Sequence, residues 1–288
     1  MHAFQVSLIS INRSNNIFII DFRLKKSIDF KKILQGKLLF VNFRDRYYQF
    51  LIDLLLVKRN KKEVSLYIGN QNHSIASIIY NKYKYVSLYI MDDGLVNYGL
   101  QSEKEKKISN WLKSIINGIL SLFRIYGLNT GHGNNLKIPK NINATFITLL
   151  NKYKCKYPNI TVVGLREYVD FDEAEKYIHK ISSNYSSTKE KLFFLSYEQS
   201  LKSGENTAAN MDADLIFHPR SHKSTGRLDI PYEFIIKDKE IMAGISSIIL
   251  VKKIFYNSKK VTVIIKKGEK ERLDRLIKLI GDVLYNYA

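Results

Sequence analysis

The chain has 288 residues, of which 45% are hydrophobic, and its formal net charge is +19. This length allows two domains of ordinary size, and the hydrophobic content allows packed cores, so a disordered chain is excluded. The basic excess predicts a nucleic acid, an anionic membrane surface or a polyanionic substrate as partner, unless it only reflects a biased genome composition. Lysines are spread over nearly every predicted helix and no nucleic-acid-binding module is recognisable, so nucleic acid is not the expected partner.

The sequence contains no run of about 18 uncharged apolar residues, so no transmembrane helix is expected. Its N-terminus lacks the pattern of a secretory signal peptide. Cys155 is the only cysteine, which excludes an internal disulfide and fits a cytoplasmic protein. The six histidines are dispersed, so no metal site built on a Cys/His cluster is expected.

The first part of the chain alternates predicted strands with predicted helices. Apolar runs predict strands at 4–11, 17–22, 38–43, 64–68 and 85–90, and helical periodicity predicts helices at 47–57 and 73–80. This alternation indicates right-handed crossovers and a parallel sheet.

The longest predicted helix covers residues 103–127 and has a wide apolar face bordered by lysines. Such a helix, with Trp111 within it, usually packs on the core, and the alternative is that it lies in a membrane interface.

A second alternating pattern follows. Helices are predicted at 144–153, 170–181, 205–211 and 269–287, and strands at 160–164, 191–196, 214–217 and 261–265. The polar stretch 182–188 is the best candidate for a linker, which predicts domains at 1–185 and 186–288. The last helix is placed where it can pack back on the first domain.

Two adjacent carboxylates follow the predicted strand 85–90. Asp92 and Asp93 precede Gly94, and like charges at the end of a buried strand raise the pKa of one carboxyl, which makes it a candidate proton acceptor. The alternative is an ordinary Asp-Gly turn. Asn70 also follows a strand, and ligands of parallel sheets lie at the carboxyl ends of strands.

His218, Pro219 and Arg220 follow the predicted strand 214–217. Pro219 restricts the backbone that follows His218, so the imidazole is held in place, and the Arg220 guanidinium is close in sequence. These two groups can bind a phosphate. The alternative is a structural histidine, which is more common when one histidine stands alone.

Ser246 and Ser247 follow Gly244 at a predicted turn. Their hydroxyls and the successive backbone N–H groups can cradle a phosphate, and the alternative is a plain helix N-cap. Glu233 can accept hydrogen bonds from a ribose diol, unless it is a surface glutamate.

These residues resemble a known family. Asp92-Asp93-Gly94, His218-Pro219 and Ser246-Ser247 match, in order and rough spacing, three motifs of the bacterial sialyltransferases, which include lipooligosaccharide sialyltransferases and capsular polysialyltransferases. The resemblance covers residues 64–250. It implies an α/β fold of the GT-B type, with two Rossmann-like domains facing across a cleft. The segment 197–200 departs from the family's donor-side loop, which leaves the donor sugar open.

The resemblance implies transfer of sialic acid from CMP-sialic acid to a glycan or glycolipid (lipooligosaccharide, lipopolysaccharide or capsule), with inversion and without metal or another cofactor. The basic surface would favour contact with the anionic inner face of the cytoplasmic membrane. Two alternatives stay open: another nucleotide-sugar donor, and a non-enzymatic protein that binds nucleic acid or anionic lipid.

The resemblance also implies a role for each candidate residue. The general base is Asp92, assisted by Asp93, although either carboxylate can fill the role. His218 lies at the leaving phosphate. The remaining assignments are Gly94 for loop support, Pro219, Arg220, Ser246 and Ser247 for the CMP phosphate, Glu233 for the ribose and Asn70 on the acceptor side.

Overall fold

The structure of the protein is a computed structural model. The structure describes residues 2–11, 13, 15–21, 28–41, 47–59, 63–69, 83–92, 98, 100, 115, 119, 143–150, 160–183, 185, 189–195, 201–217, 230–266 and 268–287. In this part of the chain the protein is α/β, with parallel sheets compatible with a Rossmann-like fold. No helix in these ranges is long and apolar enough to span a bilayer.

The described elements alternate along the chain. In order they are α1 (His2–Ile9), β1 (Ile17–Asp21), α2 (Phe30–Ile33), β2 (Lys37–Val41), α3 (Tyr47–Lys58), β3 (Val64–Ile68), β4 (Val86–Met91), β5 (Ala144–Thr148), β6 (Ile160–Gly164), α4 (Leu165–Tyr168), α5 (Phe171–Ser182), β7 (Lys191–Phe194), α6 (Leu201–Asn210), β8 (Asp214–Ile216), a 3₁₀ turn (Tyr232–Phe234), β9 (Glu240–Ala243), α7 (Ser247–Leu250), a π-helical turn (Val251–Phe255), β10 (Val261–Ile265), α8 (Lys270–Ile280) and β11 (Leu284–Tyr287).

The chain divides into two compact units. The central unit is Val41–Tyr168, and the terminal unit combines Ala3–Phe40 with Val169–Ala288. The units therefore meet in the chain after residues 40 and 168, and the N-terminal residues join the C-terminal ones, whereas the sequence predicted one boundary after residue 185. The cause is apolar packing: the buried Phe4 ring meets the Phe234 and Phe255 rings at centroid distances of 5.1 and 5.3 Å.

In the central unit four parallel strands form a sheet in the order β3-β4-β5-β6. One face of this sheet carries a buried cluster that includes Leu88, Ile90 and Phe146, with Leu66 and Val162 packed against it. Alternation of buried and half-buried residues along β4 sets that face. The register carries β4 one residue beyond Ile90, so that Met91 pairs with Ile147.

In the terminal unit five parallel strands form a sheet in the order β11-β10-β9-β7-β8. Numbered from β7, this is the doubly wound order 2-1-3-4-5, in which the chain changes direction across the sheet between β7 and β9. The register pairs Phe194 with Ile216 on one side and with Ala243 on the other. The carboxyl ends of β7, β8 and β9 are therefore level.

Most predicted strands are confirmed within one or two residues, as are the helices at 47–57 and 170–181. Three predictions are wrong. Residues 4–11 lie mostly in helix α1, 144–148 form strand β5, and 269–287 contains both α8 and β11. The helix α8 stops because Gly281 has a φ of +77°, a conformation that favours glycine. The predicted helix 73–80 lies outside the described residues, as does 103–127 except for the helical residues Ile115 and Ile119.

Candidate functional site

Asp92 lies at the carboxyl end of β4 and is fully buried. Its backbone N–H donates to the Ile147 carbonyl oxygen at 3.0 Å, which extends the pairing with β5 by one residue. Its Oδ2 accepts hydrogen bonds from the Leu149 backbone N–H at 2.9 Å, from the Thr148 hydroxyl at 3.4 Å and from the Tyr98 hydroxyl. Donors from three residues thus stabilise a carboxylate away from water.

Tyr98 and Thr148 complete this Asp92 cluster, which comprises Asp92, Tyr98, Thr148 and Leu149. Their two hydroxyl oxygens are 2.7 Å apart, and the Thr148 oxygen accepts from the Leu150 N–H at 3.1 Å. Burial and the negative charge of Asp92 raise the pKa of Tyr98 well above its ordinary value. The tyrosine therefore keeps the proton that it donates to Asp92.

This geometry favours a holding role for Asp92. A general base must reach the proton it removes directly or through one water. The Asp92 side chain has 0% exposure, and its Oδ2 is engaged by donors of the protein itself. The cluster instead fixes the carboxyl end of β4 against the end of β5.

A separate candidate site lies in the terminal unit, at the level carboxyl ends of β7, β8 and β9. Leu195 follows β7 and donates its N–H to the Ile216 carbonyl oxygen at 2.9 Å. Phe217 follows β8 on one side and Gly244 follows β9 on the other. Neighbouring strands lie about 4.8 Å apart, so the exits of β8 and β9 are separated by about 10 Å. Ligands of doubly wound sheets bind at such a reversal of strand order.

Ser246 is the polar residue at this edge whose state is most informative. It is the N-cap residue of α7, yet its hydroxyl makes no capping hydrogen bond. The Ser246 Oγ is buried and has no hydrogen-bond partner in the described part of the chain. An unpaired buried hydroxyl costs about 1–3 kcal/mol, so folding alone does not explain a serine here.

Among the described residues, little crowds the backbone beside Ser246. A Cβ added to Gly244 would contact the Ile264 carbonyl oxygen at 3.9 Å, an ordinary van der Waals distance. Ser247 begins α7 and is half-buried. The described residues therefore leave room beside the Gly244 backbone, where successive N–H groups can contribute to an anion cradle.

Glu233 lies in the 3₁₀ turn next to the same edge. The Tyr232 ring packs edge-on against Phe194, the last residue of β7, at a centroid distance of 5.6 Å. Glu233 is only 6% exposed, so it is not a surface glutamate. Burial, with smaller contributions from Tyr185 and Glu233, raises the pKa of Tyr232 to about 12.

The helical segment that begins at Ser246 also holds the turn that carries Glu233. Lys252 Nζ donates to the carbonyl oxygens of Ile236 and Lys237, both at 2.6 Å, and the Tyr256 hydroxyl donates to the Glu233 carbonyl oxygen at 2.7 Å. Lys252 lies in the π-helical turn, a feature found frequently at functional sites. One helical segment thus fixes two predicted parts of the site.

The structure describes part of the predicted site. Ser246, Ser247 and Glu233 belong to the terminal unit, and Asp92 belongs to the central unit. Six predicted site residues lie outside the described residues: Asn70, Asp93, Gly94, His218, Pro219 and Arg220.

Sequence reasoning missed four residues of these networks: Tyr98, Thr148, Lys252 and Tyr256. Thr148 had a usable signal, because two threonines in the five-residue apolar run of β5 favour a strand over a helix. The other three act through contacts that the sequence spacing does not reveal.

In the described ranges no group of three or more His, Cys, Asp or Glu side chains is arranged to hold a metal ion. No protein-family model matches the chain, and no curated protein matches its sequence.

Proposed function

We propose that the protein is an inverting glycosyltransferase that moves sialic acid from CMP-sialic acid to a lipooligosaccharide, lipopolysaccharide or capsular glycan. The observation that carries the proposal is the buried, unpartnered Ser246 hydroxyl at the reversal of strand order in the terminal unit. A phosphate oxygen is the kind of acceptor that such a hydroxyl lacks. The motif resemblance names CMP as the phosphate's source.

In this proposal the donor binds the edge formed by β7, β8 and β9. Ser246 and Ser247 bond the CMP phosphate, and His218, which follows Phe217 in the sequence, donates a hydrogen bond or proton to the same phosphate as it leaves. Glu233 accepts hydrogen bonds from the ribose. Hydrogen-bond donors aimed at the departing phosphate stabilise the charge that develops in the transition state.

Asp93, rather than Asp92, is the general base in this proposal. Its carboxylate takes the proton of the acceptor hydroxyl, the acceptor oxygen bonds to the anomeric carbon, and the bond from that carbon to the CMP oxygen breaks. The full burial of Asp92 supports this assignment, because its Oδ2 already accepts hydrogen bonds from Tyr98, Thr148 and Leu149. The base and the leaving-group residues belong to different units of the chain.

The direct test is CMP release from CMP-sialic acid in the presence of a lipooligosaccharide acceptor. We expect the wild type to release CMP, and we expect the rate of release to fall by at least roughly 10²-fold in the Asp93→Ala and His218→Ala variants. Wild-type turnover in both variants, with unchanged thermal unfolding, would sink the assignment.

A panel of nucleotides separates sialic acid transfer from the use of another nucleotide sugar. The nucleotide of the true donor stabilises the folded protein in proportion to RT ln(1 + [L]/Kd). Stabilisation by UDP or GDP and not by CMP would move the proposal to a different donor.

The net charge of +19 keeps a non-enzymatic nucleic-acid-binding function as the second candidate. That function predicts salt-dependent binding to DNA without preference for any nucleotide. Such binding, combined with no effect of CMP on unfolding, would favour it over the glycosyltransferase.

A further inference from the structure

The helix α3 is apolar on two opposite faces. Its inner face packs into the central unit through the buried Leu56 and the half-buried Ile52. On the opposite face Phe50, Leu54 and Val57 are 66%, 39% and 50% exposed. Their spacing of four and three residues places these side chains, the outer stripe of α3, along one line of the helix.

An exposed stripe of this kind is unusual on a helix of a soluble unit. Helices at a surface normally turn polar residues toward water, and a helix that is apolar all round is normally covered. Of the seven large hydrophobic side chains that are exposed in the described part, five lie in the central unit, including Ile115 and Ile119. We therefore expect a partner to cover the outer stripe of α3.

The charges around α3 indicate what that occupant is. In the sequence, residues 44–63 contain six basic and three acidic side chains: Arg44, Arg46, Lys58, Arg59, Lys61 and Lys62 against Asp45, Asp53 and Glu63. Asp53 accepts a hydrogen bond from Tyr83 on the inner side of the helix. Two copies of the stripe would bring like charges together, and a nucleic acid would leave the apolar side chains in water. An anionic bilayer satisfies both the apolar stripe and its basic flanks.

We propose that the outer stripe of α3 docks the central unit onto an anionic membrane surface, with Phe50, Leu54 and Val57 inserted at the boundary of the acyl chains. The surface rests on the proposed function only in that a lipid-linked acceptor would lie in the same membrane. It is distinct from the sequence-predicted membrane helix at 103–127.

Flotation of the protein with lipid vesicles tests this surface. The vesicles contain phosphatidylcholine alone or with about 30% phosphatidylglycerol, an anionic lipid. We expect the wild type to bind the anionic vesicles and to lose binding as salt is raised. The affinity of the double variant Phe50→Gln/Val57→Gln for these vesicles should fall by at least roughly tenfold, because two apolar side chains no longer enter the lipid.

The matched control is Leu284→Gln, which changes an equally apolar side chain that is 70% exposed in the terminal unit. It should bind vesicles as the wild type does, and all variants should keep the wild-type melting temperature. Unchanged binding by the α3 variant, or no binding by the wild type, overturns the proposal. A wild-type dimer that the α3 variant converts to monomer overturns it as well, because the stripe is then a protein interface.

The vesicle result is separable from the reaction. CMP release onto a soluble acceptor should be the same in the wild type and the Phe50→Gln/Val57→Gln variant, since the stripe takes no part in the chemistry. Failure of CMP release in the wild type, with intact vesicle binding, rejects the proposed function and leaves the docking surface standing.

Discussion

Asp92 and Ser246 are polar residues in opposite situations. The Asp92 carboxylate is buried and receives several donors, whereas the Ser246 hydroxyl is buried and receives none in the described chain. The first arrangement stabilises the fold, and the second costs stability. This contrast separates a carboxylate that the fold satisfies from a hydroxyl that no described residue engages.

Replacement of Asp92 by alanine should mainly affect stability. It leaves the Tyr98 hydroxyl and the Leu149 N–H without their acceptor, so we expect the free energy of unfolding to fall by about 3 kcal/mol in urea denaturation. The control is Asp212→Ala, because Asp212 is exposed and pairs with Lys189 at the surface. A loss no larger than that of the control would contradict the holding role of Asp92.

Replacement of Ser246 by alanine should separate stability from binding. It removes an unpaired buried hydroxyl, so we expect the free protein to gain about 1 kcal/mol in urea denaturation. The same variant should bind CMP at least roughly tenfold more weakly by titration calorimetry.

The control for this change is Ser7→Ala. The buried Ser7 hydroxyl donates to the Phe4 carbonyl oxygen at 2.8 Å, so this variant should lose stability and keep its affinity for CMP. A Ser246→Ala protein that is less stable than the wild type would show that its hydroxyl has a structural partner.

For individual residues, the sequence predicts which side chains can act as bases or hydrogen-bonding groups, but it does not predict which residues surround them. Two adjacent aspartates could be recognised, but the hydrogen bonds that engage Asp92 come partly from Thr148 and Leu149, which lie more than fifty residues away along the chain. The burial of Glu233 likewise depends on the packing of Tyr232 against a distant strand.

At the scale of elements, Lys252 connects the π-helical turn to the residues that follow the 3₁₀ turn, because its Nζ donates to the carbonyl oxygens of Ile236 and Lys237. Burial lowers the pKa of Lys252 from 10.5 to about 8, against the opposing effect of Asp238 and with a smaller contribution from Lys260. Between about pH 8 and pH 10.5 the Lys252 ammonium is protonated in the unfolded chain and has lost its proton in the folded protein. The unfolded state then binds more protons, so stability rises with pH across this window.

We therefore expect wild-type stability, relative to a Lys252→Met variant, to rise by up to about 2 kcal/mol between pH 7.5 and pH 9.5. The variant is the reference because both proteins share the other titrating groups. Urea denaturation at the two pH values measures the difference. A difference that is independent of pH would contradict the lowered pKa.

Elements were predictable where the apolar pattern is unambiguous. The strand β10 is buried throughout, and its five apolar or β-branched residues fit only a central strand. The helix α1 and the strand β5 were assigned the wrong type, because short apolar runs fit both periods and tertiary pairing decides. The Ser7 and Ser10 hydroxyls bond to carbonyl oxygens three residues earlier in α1, and β5 pairs with strands on both sides.

At the scale of the whole molecule, the terminal unit is discontinuous in sequence. A polar stretch at 182–188 looked like a boundary, but composition does not reveal that α1 packs against residues some 230 positions later. The α/β class and parallel strands were predictable from the alternation. The strand order of the second sheet, which defines the site, was not, because order is set by long-range pairing.

Phe4→Ala tests the discontinuous unit. Phe4 is fully buried, so we expect its loss to cost about 3–5 kcal/mol. Hydrogen exchange should report the loss of protection in β7 and β9 rather than in β4, since only the former share a unit with Phe4. Equal loss of protection in β4 and β9 would contradict this division.

The central claim is a nucleotide site at the carboxyl edge of β7, β8 and β9, and thermal unfolding of the wild type and Ser246→Ala with CMP, UDP and GDP tests it most directly. We predict stabilisation of the wild type by CMP alone, reaching about 2.7 kcal/mol at a hundred times the Kd, and a much smaller effect in Ser246→Ala. Equal stabilisation of both proteins, or none by CMP at millimolar concentration, would contradict the assignment.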